Sequence, residues 1–178
     1  KTLVVSQFVA SVILIGSAGI IKKQINYVNS MDLGFSKEQI LYFLPQNIAA
    51  NYDAVRNELL ANPNIQDVTA NSSLPFEWNN GNNVSLADNT SEGKIMEMCT
   101  IKYNYADLMK IPLVEGRNPF NPGTNNSGEC MINEQAAVNL GLTNPVGTQI
   151  IAGKTMYTIA GVLQNANTKS LHLEVDPQ

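Results

Sequence analysis

The side chains best suited to chemistry are few in this sequence and far apart along it. Among 178 residues there is one histidine, His172, and there are two cysteines, Cys99 and Cys130. A hydrolytic site needs a nucleophile, a base and an orienting group within reach of one another, and the sequence has no G-x-S-x-G motif. A zinc site needs several ligands at close spacing, which these three residues do not supply. We therefore predict no catalytic residue, no cofactor-binding residue and no metal site, and interpret His172 as a solvated residue of the tail.

Other segments have some features of ligand sites. Asp88–Gly93 (DNTSEG) begins like an EF-hand loop, but position 12 would be Cys99 instead of the bidentate glutamate, so we interpret it as a hairpin loop. No phosphate-binding glycine loop occurs in the sequence, so the chain itself is not expected to be an ATPase. Three aromatic residues lie in predicted loops, Phe76, Trp78 and Phe120. They either form a contact surface or pack beneath their own loops.

Charge and cysteine content restrict the function further. The net charge is −4, which gives no electrostatic reason to expect nucleic acid as a partner. Cys99 and Cys130 fall on separate predicted strands. They either form a disulfide in an oxidising compartment or stay reduced and buried as small hydrophobic residues.

The element that organises the chain is an uncharged run at its start, Leu3–Ile21 (LVVSQFVASVILIGSAGII). A helix rises about 1.5 Å per residue, so this run spans the roughly 30 Å hydrocarbon core of a bilayer. Beyond Lys22–Lys23, apolar residues continue at helical spacing to Met31. The pattern predicts one helix that passes from the membrane into a polar compartment and ends near residues 32–34.

Two other interpretations of this run were considered. A cleaved signal peptide would have a shorter apolar core followed by a small-residue cleavage site. A core helix of a soluble protein would be buried in the folded domain. The positive-inside rule by itself favours a cytoplasmic location for Lys22–Lys23, although the comparison needs flanking residues on both sides of the helix.

The next part of the sequence predicts a β–α–β unit. Ile40–Leu44 (ILYFL) is rich in strand-forming residues, and Ile65–Asn71 alternates in part. Between them a helix begins after the N-cap candidate Asn51, carries an apolar stripe of Tyr52, Val55, Leu59 and Leu60, and stops at Asn62–Pro63.

The remainder predicts a mixed α/β region. Residues 72–93 and 118–127 have loop composition, and Glu115–Arg117 is predicted as a turn. Asn133 is predicted to cap a helix, and Gly141 to end it in the left-handed conformation. The predicted strands are 84–87, 95–103, 129–132, 148–151 and 155–163, the last two forming a hairpin across Gly153–Lys154, and the predicted helices are 105–111 and 134–140.

Four stretches of the sequence resemble the extracytoplasmic (periplasmic) core domain of MacB/FtsX-type ABC transporter permeases. Together they place nearly the whole chain in the order of that family, and the third is the most specific. They are the membrane run leading into Gln24–Leu41, then Tyr105–Pro119 (YADLMKIPLVEGRNP), Cys130–Ile150 (CMINEQAAVNLGLTNPVGTQI) and Tyr157–Pro177 (YTIAGVLQNANTKSLHLEVDP).

The resemblance implies an α+β fold with an N-terminal transmembrane and stalk helix. A β–α–β porter-like lobe, half of it present, carries an inserted mixed α/β lobe. The implied divisions are 1–35 for the helix, 36–73 for the first half of the porter-like lobe, 74–165 for the inserted lobe, and 166–178 for a return segment. The family pattern continues with a second β–α–β half and a second membrane helix. A half-lobe leaves a sheet edge unpaired, so either association with a second copy or disorder near that edge is expected.

The resemblance also implies a function. The chain would be a non-catalytic periplasmic domain that couples cytoplasmic ATP hydrolysis to export or to extracytoplasmic mechanotransmission. The implied location is the bacterial inner membrane, with the folded domain in the periplasm. Implied partners are an ABC ATPase subunit or domain, a second permease copy, the lipid bilayer, and a periplasmic adaptor or cell-envelope protein. The alternative is a membrane-anchored module that binds a peptide, lipid or glycan in the loops at 72–93 and 118–127; an anchored hydrolase lacks a base–nucleophile pair.

Overall fold

A computed structural model gives the architecture of the chain. It describes residues 1–31, 33–36, 38–44, 51–73, 81–89, 92–102, 104–120, 128–167 and 175–178. The chain divides into two compact units, residues 1–32 and residues 33–178.

The first unit is one helix, α1 (Thr2–Ser30), of 29 residues. Serine hydroxyls of α1 donate hydrogen bonds to main-chain carbonyls of the same helix. Ser11 Oγ, for example, donates to the Gln7 carbonyl at 2.9 Å. Met31 ends the helix in an extended conformation, and no residue of α1 is buried. By length and composition α1 can cross a membrane. Because a core helix would bury one face, the absence of any buried residue in α1 favours the membrane interpretation over a soluble core helix.

The described part of the second unit is built on one six-stranded sheet. Its strands are β1 (Asn82–Leu86), β2 (Lys94–Met96), β3 (Leu113–Gly116), β4 (Glu129–Asn133), β5 (Gln149–Ala152) and β6 (Thr155–Leu163). The order along the sheet is β2-β1-β5-β6-β3, with β4 pairing β6 in parallel. All other pairs are antiparallel. The nine-residue β6 therefore joins three neighbours and holds the sheet together.

Within the described ranges, three short helices accompany the sheet: α2 (Tyr52–Leu60), α3 (Tyr105–Met109) and α4 (Glu134–Asn139). The main core lies between α4 and the sheet. Ala136 and Ala137 of α4 are buried in one cluster with Ile132, Ile159 and Val162 of the sheet. Small alanine side chains allow the helix backbone to approach the strands closely, and Ile159 is almost completely buried, with 1% of its surface exposed.

Local sequence signals predict several of these elements correctly. The β5–β6 hairpin turns at Gly153, whose φ is +63°, in the left-handed region that glycine adopts without steric cost. Asn133 caps α4, since its Oδ1 accepts from the Ala136 N–H at 2.8 Å. Gly141 follows α4 with φ of +71°, as predicted for the residue after a helix C-cap. The predicted mixed α/β fold with an apolar N-terminal helix is confirmed.

The β–α–β unit is only partly present. Its helix, α2, forms, and Tyr52 of its apolar stripe is buried. The prediction of strands at Ile40–Leu44 and Ile65–Asn71 is wrong for the described residues: 40–44 lies in no strand, and the second segment makes one isolated bridge, Asn71 to Ile101. A run of strand-forming residues becomes a strand only when a neighbour supplies partners for its main chain. Ile40–Leu44 and Ile65–Asn71 do not pair with each other in the described residues.

Two boundaries also differ from the predictions. The turn predicted at Glu115–Arg117 is instead the end of β3, where Gly116 pairs with Gly161 of β6. The strand predicted over 95–103 is limited to β2, which ends at Met96. Beyond it, the Glu97 N–H donates to the Pro177 carbonyl at 3.0 Å. A segment distant in sequence therefore replaces the regular ladder at that point.

Candidate functional site

An apolar cavity lies in the described part of the second unit. Its volume is about 170 Å³. Val84, Ile132, Ile150 and Ala152 form a wall supplied by three strands of the sheet, and α3 supplies Met109 from another side. Most pocket walls that bind small organic molecules are of this apolar kind.

Sulfur atoms are concentrated around this cavity. Of the six methionines and two cysteines in the sequence, four methionines and both cysteines line it. They are Met96, Met98, Met109, Met131, Cys99 and Cys130. Methionine is flexible and polarisable, so such a wall adapts to irregular apolar contents.

Two titratable groups of the cavity lining are held in their neutral forms. Burial, with a contribution from the neighbouring Glu129, raises the pKa of the Cys130 thiol to about 11. Burial, with a contribution from Cys99, raises the pKa of Tyr105 to about 12, although a hydrogen bond to Asn71 opposes the shift. At neutral pH Cys130 is therefore a protonated thiol, which is a poor nucleophile and a poor metal ligand. This favours an apolar role for the cavity wall.

The segment Asp176–Gln178, called the C-terminal strap, forms part of the cavity edge. Asn133 holds it through three atoms. The Asn133 N–H donates to the Gln178 carbonyl at 2.9 Å, Asn133 Nδ2 donates to the Asp176 carbonyl at 2.7 Å, and Asn133 Oδ1 accepts from the Gln178 N–H at 3.0 Å. At the other side, Gln178 Nε2 donates to Glu97 Oε2 at 3.3 Å. The strap thus joins the end of β4 to the chain that follows β2.

A second polar cluster connects α2 to the segment that follows it. Arg56 Nη2 bonds to Asp67 Oδ1 at 2.7 Å, and Asn104 Nδ2 donates to Asp67 Oδ2, also at 2.7 Å. The hydroxyl of Tyr52 and the Nδ2 of Asn104 both donate to the Val68 carbonyl, at 3.0 and 2.9 Å. Burial by itself raises the pKa of Asp67, but its hydrogen bonds and the Arg56 charge outweigh burial, so the net pKa is below the ordinary value of 3.8. These contacts are structural, since they fix α2 to α3.

Of the residues considered for chemistry, Cys99, Cys130 and Phe120 are described, and all three line the cavity. His172, Phe76 and Trp78 lie outside the described residues, as does part of the predicted loop Asp88–Gly93. Among the residues that the structure describes, no group of three or more histidine, cysteine, aspartate or glutamate side chains could hold a metal ion. Both cysteines are free thiols. Phe120 is half-buried and lines the cavity.

Sequence reasoning missed the cavity and the strap. The lining comes from separate segments between Phe35 and Gln178, and no short motif marks it. The one available signal was Asn133, which was identified as a helix cap but also anchors the strap.

Comparison with known proteins supplies a family and related structures. The family model described as "MacB-like periplasmic core domain" matches residues 8–177. The periplasmic region of MacB from Actinobacillus actinomycetemcomitans is similar in fold, with a TM-score of 0.52 at 18% sequence identity over 70% of this chain. The extracellular domain of the noncanonic ABC-type transporter YknZ from Gram-positive bacteria gives 0.49 at 22% identity, over 68% of this chain and 65% of that one. The chain spans 60% of the length of the MacB structure. No curated protein matches the chain.

Proposed function

The chain belongs to the MacB-like periplasmic core domain family, the periplasmic domain of MacB-like ABC transporter permeases, and we propose that it couples cytoplasmic ATP hydrolysis to work outside the membrane. That work is export or mechanotransmission to another cell-envelope protein. The domain itself is non-catalytic. ATP hydrolysis belongs to a separate nucleotide-binding domain or subunit, and the folded unit lies in the periplasm with α1 in the inner membrane.

The length of α1 is the observation that carries this proposal. Its 29 residues extend for about 43 Å at about 1.5 Å per residue, whereas the hydrocarbon core is roughly 30 Å thick. About nine residues therefore continue the same helix beyond the hydrocarbon. They include Lys22 and Lys23, which would lie at the lipid–water boundary, and Tyr27, an interfacial residue type. A continuous hydrogen-bonded helix is stiff, so displacement at its membrane end reaches the folded unit with little loss.

The proposal is tested by making this helix flexible outside the membrane. Two glycines are inserted between Asn26 and Tyr27 in the full permease, reconstituted with its ATPase. Glycine is about 1 kcal/mol less favourable than alanine at each interior helix position, and it adds backbone freedom. We expect ATP hydrolysis to continue while transport, or the signal to the envelope partner, falls at least tenfold in the same vesicles.

A matched insertion separates stiffness from length. Two alanines inserted at the same position preserve the helix. They lengthen α1 by about 3 Å and rotate the domain by the angle that two helical glycines would give. We expect the alanine variant to retain much more coupling than the glycine variant. Equal coupling in the glycine variant and the unmodified protein would contradict the lever, and equal losses in both variants would show that helix phase matters instead of stiffness.

The proposed partners follow from the same arrangement. A permease domain that performs no hydrolysis needs an ABC ATPase on the cytoplasmic side. The acidic chain, with net charge −4, gives no reason to add nucleic acid to these partners. A second permease copy and a periplasmic adaptor or cell-envelope protein complete the proposed assembly.

A further inference from the structure

The apolar cavity of the second unit is a feature separate from the length of α1. Its volume of about 170 Å³ is close to that of an engineered apolar cavity of about 150 Å³ that binds benzene, and it opens to solvent where Met98 and Cys99 are exposed. Apolar lining atoms that face water instead of packed neighbours lack dispersion contacts and keep apolar surface hydrated. An apolar group that fills the space would recover those contacts.

The geometry points to a binding site for a small, neutral, apolar group of about the size of one aromatic ring. The site lies within the second unit and does not depend on the proposed coupling role.

The chemistry of the wall selects this class of ligand. Four methionines and two cysteines surround the space, and methionine sulfur makes favourable contacts with aromatic rings. No lysine or arginine occurs among the described lining residues, so an anionic ligand would enter without a cationic partner. The carboxylate among them, on Glu97, already accepts a hydrogen bond from Gln178. A neutral apolar group therefore enters at the lowest desolvation cost.

Methionine methyl groups provide a direct test. The full chain is labelled with ¹³C-methyl methionine, placed in lipid nanodiscs and titrated with benzene. Four of the six labelled methyls line the cavity, whereas Met31 ends α1 and Met156 is exposed on β6. We expect saturable chemical-shift changes confined to the four cavity methyls. The proposal is overturned if those four do not respond saturably, or if Met31 and Met156 respond to the same degree.

Two substitutions locate the binding. Ala152 is 92% buried and lines the cavity, so Ala152→Leu places added carbon atoms in the space and should weaken benzene binding at least tenfold. Val138→Leu is the control, because Val138 is exposed on α4 and does not line the cavity. Unchanged affinity in Ala152→Leu would contradict the assignment.

A variant that enlarges the cavity gives a second test, which still holds if Ala152→Leu fails to fold. Met109→Ala removes a buried lining side chain and enlarges the cavity. It should strengthen the binding of naphthalene, a two-ring probe, at least tenfold relative to the unmodified chain. If naphthalene binding does not change, the cavity is not the binding site.

Discussion

At the scale of single residues, Asn133 shows how one side chain serves two parts of the structure. Its Oδ1 caps α4 and also accepts from the Gln178 N–H, while its Nδ2 donates to the Asp176 carbonyl. The cap is local, three residues from its donor, and the sequence predicts it. The strap contacts join residues more than 40 positions apart, and no local pattern encodes such a pair. Sequence reasoning therefore identified the residue but only half of its role.

Asp67 leads to a prediction about pH. Its folded-state pKa lies below the ordinary value of 3.8, so the carboxylate form stabilises the fold. This contribution is fully present above the unfolded-state pKa and is lost as the pH falls through the lower folded-state pKa. Asp67→Asn should lower the free energy of unfolding by about 1 kcal/mol at pH 7. The effect is small because the Asp67 side chain is 37% exposed and screened by water.

Chemical denaturation of both proteins between pH 7 and pH 2 measures this effect. The difference between the wild type and Asp67→Asn should be constant at neutral pH and shrink below about pH 4, where the carboxylate of the unfolded chain is protonated first and that of the folded chain at lower pH. Asp88→Asn, at an exposed turn after β1, is the control for loss of a charge. A difference that grows as the pH falls would have the wrong sign for a lowered pKa.

At the scale of elements, the accuracy of sequence reasoning depended on where each element finds its partners. The β5–β6 hairpin and α4 have their determinants within a few residues, and the sequence predicts both. Ile40–Leu44 has the composition of a strand, but the described residues give it no ladder, because strand pairing is decided by distant segments. The apolar cavity depends on even more segments, which explains why no motif predicted it.

The contact between β3 and β6 supplies a prediction at this scale. Gly116 and Gly161 pair across the two strands, and a Cβ added at Gly161 would lie 2.5 Å from the Arg117 carbonyl oxygen. The main chain of Arg117 cannot move aside as easily as a flexible side chain. Gly161→Ala should therefore lower the free energy of unfolding by about 1–3 kcal/mol and the Tm by several degrees. Gly128→Ala is the control, since a Cβ at Gly128 meets nothing within 4 Å and its φ is not positive. Equal melting temperatures for the two variants would contradict this close approach.

At the scale of the whole molecule, the segment Ile40–Leu44 is an exposed apolar surface. Its five side chains expose 37, 90, 56, 55 and 74% of their area in chain order. Contiguous exposed apolar residues on a soluble unit mark a surface that contacts another protein. Because the same residues favour an extended strand, we expect them to associate with the corresponding segment of a second copy.

This expectation is tested by the size of the full chain in detergent. Sedimentation should show a dimer for the unmodified chain, and Leu41→Ser with Leu44→Ser should raise its dissociation constant at least tenfold, because each substitution removes a large apolar side chain from the contact. Val138→Ser removes an equally exposed apolar side chain on α4 and should leave the dimer intact. A monomeric unmodified chain would exclude self-association through this surface. A dimer unaffected by the double substitution would place the contact between copies elsewhere.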